Sequence, residues 1–571
     1  MKQPNSGKLS LLSACRQVAR RAFRLQSLRP EQESAMLAVL NLRDTLVALP
    51  SGFGKSLIYQ VPAMILERPT IVISPLIALM ADQELALKKR GVPVIAFHSR
   101  LRVAERRAVL ARLKKGGRLV VLTTPETLES AATGPFFERA RPALLCIDEA
   151  HCISEWGHDF RPSYLRLGEA RKRLGNPPVL ALTATATPGV REDIAGRLLL
   201  RDPRVLVAPP YRDNLRLTVD IVPGSGKFPA AARRIKRLQR PGIIYCATTT
   251  AVDEVGGALA RARIPATRYY GKMRAADREA AQGQSMLPSR RSIMVATTTF
   301  GMGIDKPNIR YILHYQAPGS LEQYVQEIGR AGRDGHPAYC ILLFDPADLE
   351  IHEHLQALNR PSVRHLERLE SALNSWTDEQ RAPTPDNLAY SAGVSARICE
   401  VLLSDLEEAG LTARDEEGGV SIVVSPEKFK AGVHELVAKL KTFRYEGERR
   451  LRLIADYARS NECRSVFIRR YFGEDHPPRC GTCDRCRVDR VGTTQPSTSQ
   501  RRHARPQRRP IENPAGQPSP QFPMPSDTNS RSGHQPAAET TPRRPPPPRA
   551  SRPQGHKARP RRRSPKSRRP S

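Results

Sequence analysis

Five short apolar runs, at residues 45–49, 70–74, 119–123, 143–147 and 179–183, are separated by polar or mixed segments long enough to form helices. A strand that is apolar throughout must be covered on both faces, and crossover helices on both sides of a parallel sheet provide that cover. The alternation stops around residues 209–212 and resumes with runs at 242–246, 292–296, 309–314 and 338–344. The expected fold class is therefore α/β, with two tandem parallel-sheet lobes at residues 23–208 and 209–350 after a short N-terminal extension at 1–22. A chain of 571 residues exceeds what one hydrophobic core holds, so several domains are required.

Beyond the second lobe the pattern changes. Residues 361–446 read as helical, with a helix-turn-helix-like stretch at 387–410, a second helix at 395–409 and a hairpin at 414–424. This is a winged-helix-like domain, although its wing, Asp415-Glu416-Glu417-Gly418-Gly419, is acidic and lacks an aromatic wedge. Duplex binding and a protein-contacting or structural role are both open for it. Residues 447–487 form a small cysteine-bearing module, and from residue 488 the composition shifts sharply. Between Arg487 and Ser571 stand 20 Lys and Arg against 4 Asp and Glu, with 18 prolines and a single aromatic, Phe522. Such a segment cannot bury a core, so residues 488–571 are expected to be a disordered basic tail.

The formal charge of the whole chain is +35, a field that attracts a polyanion, and nucleic acid fits better than an anionic membrane. No apolar run approaches the length of a bilayer span. Leu12-Ser13-Ala14-Cys15 resembles a lipoprotein cleavage box, but few apolar residues precede it and Lys8 interrupts them, so Cys15 reads as an ordinary helix residue. Ten cysteines without an export signal indicate a reducing compartment, where clustered thiols bind metal.

Chemistry first appears at Pro50-Ser51-Gly52-Phe53-Gly54-Lys55-Ser56, which follows the first strand directly and opens a helix. Gly52 and Gly54 let backbone N–H groups approach a triphosphate, Lys55 neutralises its outer phosphates and Ser56 ligates magnesium. The strict phosphate-loop pattern would place glycine at Leu49. The strand at 143–147 then ends in Asp148-Glu149-Ala150-His151: Asp148 is placed to hold the magnesium and Glu149 to polarise the attacking water. In the second lobe, Gln326-Glu327-Ile328-Gly329-Arg330-Ala331-Gly332-Arg333 supplies guanidinium groups that stabilise a transferring phosphoryl group across a cleft. ATP hydrolysis coupled to lobe closure is the chemistry expected, with ATP and Mg2+ as cofactors.

From about Phe23 to Phe344 the chain resembles the RecQ family of superfamily-two DNA helicases. The ordered motifs are Leu28-Arg29-Pro30-Glu31-Gln32, Ser74-Pro75-Leu76-Ile77-Ala78-Leu79-Met80, Thr124-Pro125-Glu126, Ala181-Leu182-Thr183-Ala184-Thr185-Ala186, and Ala296-Thr297 leading into Phe300-Gly301-Met302-Gly303-Ile304-Asp305-Lys306-Pro307. The resemblance implies RecA-like lobes. It also implies that Gln32 reads adenine, that Arg29 packs on the base, that Leu25 supplies apolar contact where relatives carry an aromatic, and that Asp305 belongs to the nucleotide site. Cys152-Ile153-Ser154-Glu155-Trp156-Gly157-His158-Asp159-Phe160-Arg161-Pro162 is similar to the family's aromatic-rich loop, which senses single-stranded DNA. Trp156 and Phe160 can stack on bases of any sequence, with His158 and Arg161 beside them. Tyr270-Gly271-Lys272 and Met286 depart from the family's usual residues in the second lobe.

Cys463, Cys480, Cys483 and Cys486 provide two overlapping C-x-x-C steps and a fourth thiolate, enough to surround one tetrahedral Zn2+. Residues 448–486 resemble the helical zinc module of RecQ proteins, but here the winged-helix-like segment lies between motor and zinc module. The resemblance implies an ATP-dependent DNA helicase with 3′ to 5′ polarity, acting in repair and recombination on single-stranded and partially duplex DNA. A monomer without membrane association is expected, cytoplasmic and nucleoid-associated, with protein partners left open through the winged helix or the tail. A DNA-binding adaptor that switches conformation with ATP but separates no strands is the alternative.

Overall fold

The computed structural model describes residues 6–130, 132–154, 161–286, 292–300, 306–376, 382–415 and 417–487. No described helix is long and apolar enough to cross a membrane.

Lobe 1 is built on a seven-stranded sheet comprising β1 (Thr45–Ala48), β2 (Thr70–Ile73), β3 (Val94–Phe97), β4 (Val120–Thr123), β5 (Leu144–Ile147), β6 (Val179–Thr183) and β7 (Arg204–Val207), in the order β3-β4-β2-β5-β6-β1-β7. Every pairing is parallel. Alternate residues of one strand enter different cores: Val47 and Leu49 pack on one face with Val72, whereas Leu46 and Ala48 pack on the other with Ile71 and Ile73. This two-sided burial explains why these strands read as continuous apolar runs. The helix Ser6–Phe23 belongs to the first face, where Cys15, Ala19 and Phe23 are buried. Cys15 is thus a core helix residue.

Lobe 2 carries β8 (Leu215–Ile221), β9 (Gly242–Tyr245), β10 (Thr267–Tyr269), β11 (Ile293–Ala296), β12 (Tyr311–His314) and β13 (Ala338–Phe344), again wholly parallel, in the order β10-β11-β9-β12-β13-β8. One face of this sheet is covered by its own helices. The other shares a single core with the C-terminal module: Ile243, Ile312 and Leu342 pack in one cluster with Ile454, Tyr457, Ile468, Cys483 and Cys486.

Residues 363–443 form a separate core. It contains the helices Val363–Trp376, Pro385–Ala392 and Ala396–Glu408, and a short antiparallel hairpin of β14 (Thr412–Arg414) and β15 (Val420–Ile422). The turn between the second and third helices depends on Gly393, whose φ of 61° suits glycine, and on Ser395, whose hydroxyl accepts from the Ile398 N–H at 3.3 Å. The 34-residue helix Pro426–Arg459 then runs unbroken from this core to the zinc module.

Candidate nucleotide and zinc sites

The phosphate loop leaves β1 and bends through Gly52 and Gly54, at φ of 81° and 83°, before the helix Leu57–Ala63. Left-handed backbone is what requires glycine at both positions. Lys55 is folded back on its own loop, donating from Nζ to the carbonyls of Leu49 at 3.0 Å and Pro50 at 3.4 Å. Burial holds its ammonium below the usual lysine range; Glu149 and Asp148 oppose that shift, and Arg333 adds to it.

Asp148 ends β5 and is buried, receiving the Glu149 N–H at 3.1 Å. Burial first and the Glu149 charge second raise its carboxyl to about 7, against the favourable field of Lys55. The buried Asp148 and the partly exposed Glu149 beside Lys55 offer adjacent carboxylate oxygens, which fits a divalent cation. Glu149 itself sits at φ 49°, ψ 47°, a strained conformation for a non-glycine residue that lifts its carboxylate out of the strand line. His151 lies 3.4 Å from Glu149 Oε2 and 3.1 Å from Thr183 Oγ1, tying the acidic box to the end of β6.

Across the cleft, the turn after the helix Leu321–Ile328 presents Gly329 to Ser51 so closely that an added Cβ would lie 2.9 Å from Ser51 Cβ. Arg333 follows. Its Cγ would lie 3.1 Å from a Cβ on Gly52, so its side chain lies against the phosphate loop. Arg330 is buried in the same turn, near the Tyr245 hydroxyl. The structure therefore brings Lys55, Asp148, Glu149 and Arg333 to one place, with Arg330 in the adjoining turn.

Gln32 donates from Nε2 to the carbonyls of Phe53 at 2.9 Å and Gly54 at 3.2 Å, and its Oε1 accepts from the Arg29 N–H at 3.0 Å. It thus supports the loop's backbone. The Arg29 guanidinium lies 4.3 Å from the centre of the Phe53 ring, and Leu25 packs into the same cluster as Phe53 and Leu57. Phe53 was missed as a site residue; its place inside the glycine loop was the available signal. Arg161 donates to the Pro75 carbonyl at 2.9 Å, and its N–H to that of Cys152 at 2.9 Å. Trp156, His158, Phe160 and Asp305 lie outside the described residues.

Arg212, in the connection between the lobes, was also missed. Its guanidinium donates to the carbonyls of Gly329 at 3.0 Å, Gly332 at 3.0 Å and Ala331, holding the turn that carries Arg330 and Arg333. Asn214 adds bonds to Gly332 O and His336 O, both 2.8 Å. Burial depresses the Arg212 pKa, and Arg333 and Arg29 depress it further, while Cys340 opposes them. The sequence signal was modest: two charged residues and an asparagine after a proline pair.

The four cysteine sulfurs of Cys463, Cys480, Cys483 and Cys486 lie within 4.8 Å of one another. Cys463 Sγ is 3.5 Å from Cys480 Sγ and 3.9 Å from Cys483 Sγ. Tetrahedral zinc with bonds of about 2.3 Å sets its sulfurs about 3.8 Å apart, whereas a disulfide would require about 2.05 Å. The donor set fits zinc. Around it, Asp484 accepts from Arg464 Nε at 3.1 Å and from the Val219 N–H of β8 at 3.1 Å, and Tyr471 donates to Glu322 at 2.5 Å.

Three family patterns match: DEAD/DEAH box helicase over residues 29–194, helicase conserved C-terminal domain over 227–335 and RecQ zinc-binding over 433–487. The chain is 39% identical over 336 residues to the probable ATP-dependent DNA helicase RecS of Bacillus subtilis, covering 58% of this chain and 67% of that one. To the ATP-dependent DNA helicase RecQ of Synechocystis it is 33% identical over 495 residues, covering 82% and 98%. Other curated relatives are spanned over less of their length, 34% for the RecQ-like DNA helicase blm-1 of Caenorhabditis elegans. The solved structure of Mss116p bound to ssRNA and AMP-PNP matches at a TM-score of 0.51 and 17% identity, over 86% of this chain and 94% of that one, which is a likeness of fold.

Proposed function

The chain belongs to the RecQ family of ATP-dependent DNA helicases, and from that premise we propose that it moves 3′ to 5′ along single-stranded DNA and separates partially duplex DNA ahead of it. The observation that carries this reading is the placement of Arg333, from lobe 2, against Gly52 in the phosphate loop of lobe 1. A hydrolytic site divided between two lobes changes its geometry whenever they part, so turnover and lobe movement are coupled.

Lys55 exchanges its bonds to Leu49 and Pro50 for the outer phosphates of ATP. Ser56 and Asp148 would hold magnesium, which would neutralise charge on the phosphate oxygens when bound. Glu149 orients the attacking water, and Arg333 and Arg330 meet the charge that develops on the γ-phosphoryl group. Arg29 and Leu25 flank the base. Gln32, bonded to the loop it would serve, releases one amide contact to read adenine or reports loop position to the base. Trp156, His158, Phe160 and Arg161 contact the strand, and zinc held by Cys463, Cys480, Cys483 and Cys486 would keep the C-terminal module folded against lobe 2. Action at the nucleoid, as a monomer in repair or recombination, follows from the same reading.

The deciding experiment is strand separation on duplexes bearing a 3′ or a 5′ overhang. Unwinding of the 3′-tailed duplex is expected, together with its loss in Lys55→Ala. DNA-stimulated ATP hydrolysis without release of either strand would instead establish the switching adaptor.

A further inference from the structure

In a helix-turn-helix, the second helix is the one that enters a DNA groove. Here that helix, Ala396–Glu408, carries one basic residue, Arg397, against Glu400, Asp405, Glu407 and Glu408. An acidic face opposes phosphate contact. It also has a partner already: Glu400 lies 3.5 Å and Glu407 4.0 Å from Arg166 of lobe 1, and Glu408 lies 3.6 Å from Arg197. Glu129 of lobe 1 shares Arg166 at 2.8 Å, and Arg414 of β14 orients Glu400 at 3.0 Å and contacts Glu407. The two sides alternate in sign. Glu400, Glu407 and Arg166 are each partly withdrawn from solvent, so salt screens them less than freely exposed charges.

The helix packs against the turn Pro162–Tyr164, and Tyr164 is fully buried with its hydroxyl 3.4 Å from the Asp148 carbonyl. A continuous line of contacts therefore leads from the winged-helix-like domain to the end of β5. We propose that this domain is a brace on lobe 1: the acidic face of Ala396–Glu408 is an interaction surface for Arg166, Arg197 and the 162–164 turn, not a DNA-reading surface. The brace steadies the 162–164 turn beside Arg161 and, through Tyr164, the backbone at Asp148, and does so whether or not the protein unwinds DNA.

Hydrogen exchange on the full-length protein tests this, with each variant read in the domain it does not alter. Glu400→Gln with Glu407→Gln removes the wing-side charges while keeping their shape, and exchange at residues 162–166 of lobe 1 rises about threefold to tenfold. Arg166→Gln, a lobe 1 change that leaves the winged-helix core untouched, raises exchange at residues 396–408. In the Arg166→Gln background the two glutamine changes add little further at 162–166, as a double-mutant cycle requires of direct partners. Blunt duplex DNA leaves exchange at 396–408 unchanged in the wild-type protein. Unaltered exchange at 162–166 in the Glu400→Gln/Glu407→Gln protein overturns the proposal, as does protection of 396–408 by duplex DNA.

Discussion

Arg212 offers the sharpest test of how the lobes share one site, because it touches neither substrate nor the reacting atoms. Replacing it with alanine removes the donor to three carbonyls of the 329–332 turn. Bonds from a charged donor contribute about 1.5–3 kcal/mol each, but here one guanidinium serves three acceptors. Besides its local backbone bonds, the turn also keeps bonds to distant segments, from the Gly332 N–H to Ile309 O at 2.8 Å and from Asn214 to Gly332 O at 2.8 Å. We therefore assign the change about 2–3 kcal/mol of turn ordering. Since a factor of ten in rate is about 1.4 kcal/mol, DNA-stimulated kcat is expected to fall about 30- to 140-fold. That lies below the effect of an arginine finger itself, about 10³–10⁵. KM for ATP should change little, because Arg212 faces the turn and not the phosphate loop, and Arg212→Lys should recover part of the rate. Steady-state ATPase at saturating single-stranded DNA, with zinc content and melting temperature as folding controls, reads this out. A kcat within about twofold of wild type in folded Arg212→Ala would refute the positioning role.

Lys55→Ala, Glu149→Gln and Arg333→Ala are each expected to reduce DNA-stimulated ATPase at least about 1000-fold, measured by phosphate release. Elemental analysis should find one zinc per chain. Cys483→Ser should lose it and lower the melting temperature of lobe 2, because that cysteine is buried in the lobe's own core. His352 is buried, bonds the Ala317 carbonyl at 2.6 Å and is held below the ordinary histidine pKa by burial. The unfolded chain therefore binds a proton before the folded one does, so stability is full above about pH 6.5 and falls as pH drops toward the folded value. His352→Gln should flatten that loss in urea melts at pH 7.5 and 5.5. A chain ending shortly after Cys486 should keep its maximal ATPase rate but need more DNA to reach it, with a shallower salt dependence, if the basic tail grips phosphates.

How much of this was legible follows from what each residue must do alone. The phosphate loop, the acidic box and the cysteine cluster could be read because chemistry fixes residue type and spacing together. β1, β2, β4, β5 and β6 were legible because both faces are buried. β7 and β8 were not read, since Val205, Val207 and Ile221 face solvent and Arg204 and Arg216 interrupt the apolar run. β10, with three residues, is too short to stand out from the helices beside it, whereas β3 is as long as β1 and was not read although its residues are apolar. Contacts between distant segments left at most a weak local trace: Arg212 on the 329–332 turn, Arg166 on Glu400, and Arg29 on Phe53 pair residues far apart in sequence, and neither segment of a pair names its partner.

The change of domain expected at residue 446 falls inside the continuous helix Pro426–Arg459, beside Gly447. An added Cβ would meet Arg360 Nη1 at 2.1 Å and Gln356 Oε1 at 2.6 Å, so the glycine admits the end of the helix Ala347–Asn359 and its following residue against the middle of Pro426–Arg459. Glycine inside a helix costs about 1 kcal/mol relative to alanine, and close packing of a second helix offsets that cost. The crossing fixes the long helix between its two halves, one in the winged-helix core and the other in the core of lobe 2. A rigid helix held at its middle transmits a rotation of one half to the other. A winged-helix-like domain braced on lobe 1 and a zinc module fused to lobe 2 are thus joined by one stiff element. Parting of the lobes must then either bend that helix at Gly447 or release the brace, that is, the ion pairs to Arg166 and Arg197 and the packing on the 162–164 turn. The second route costs less, because those pairs are partly exposed and contribute about 1 kcal/mol or less each, whereas bending breaks backbone hydrogen bonds packed against lobe 2.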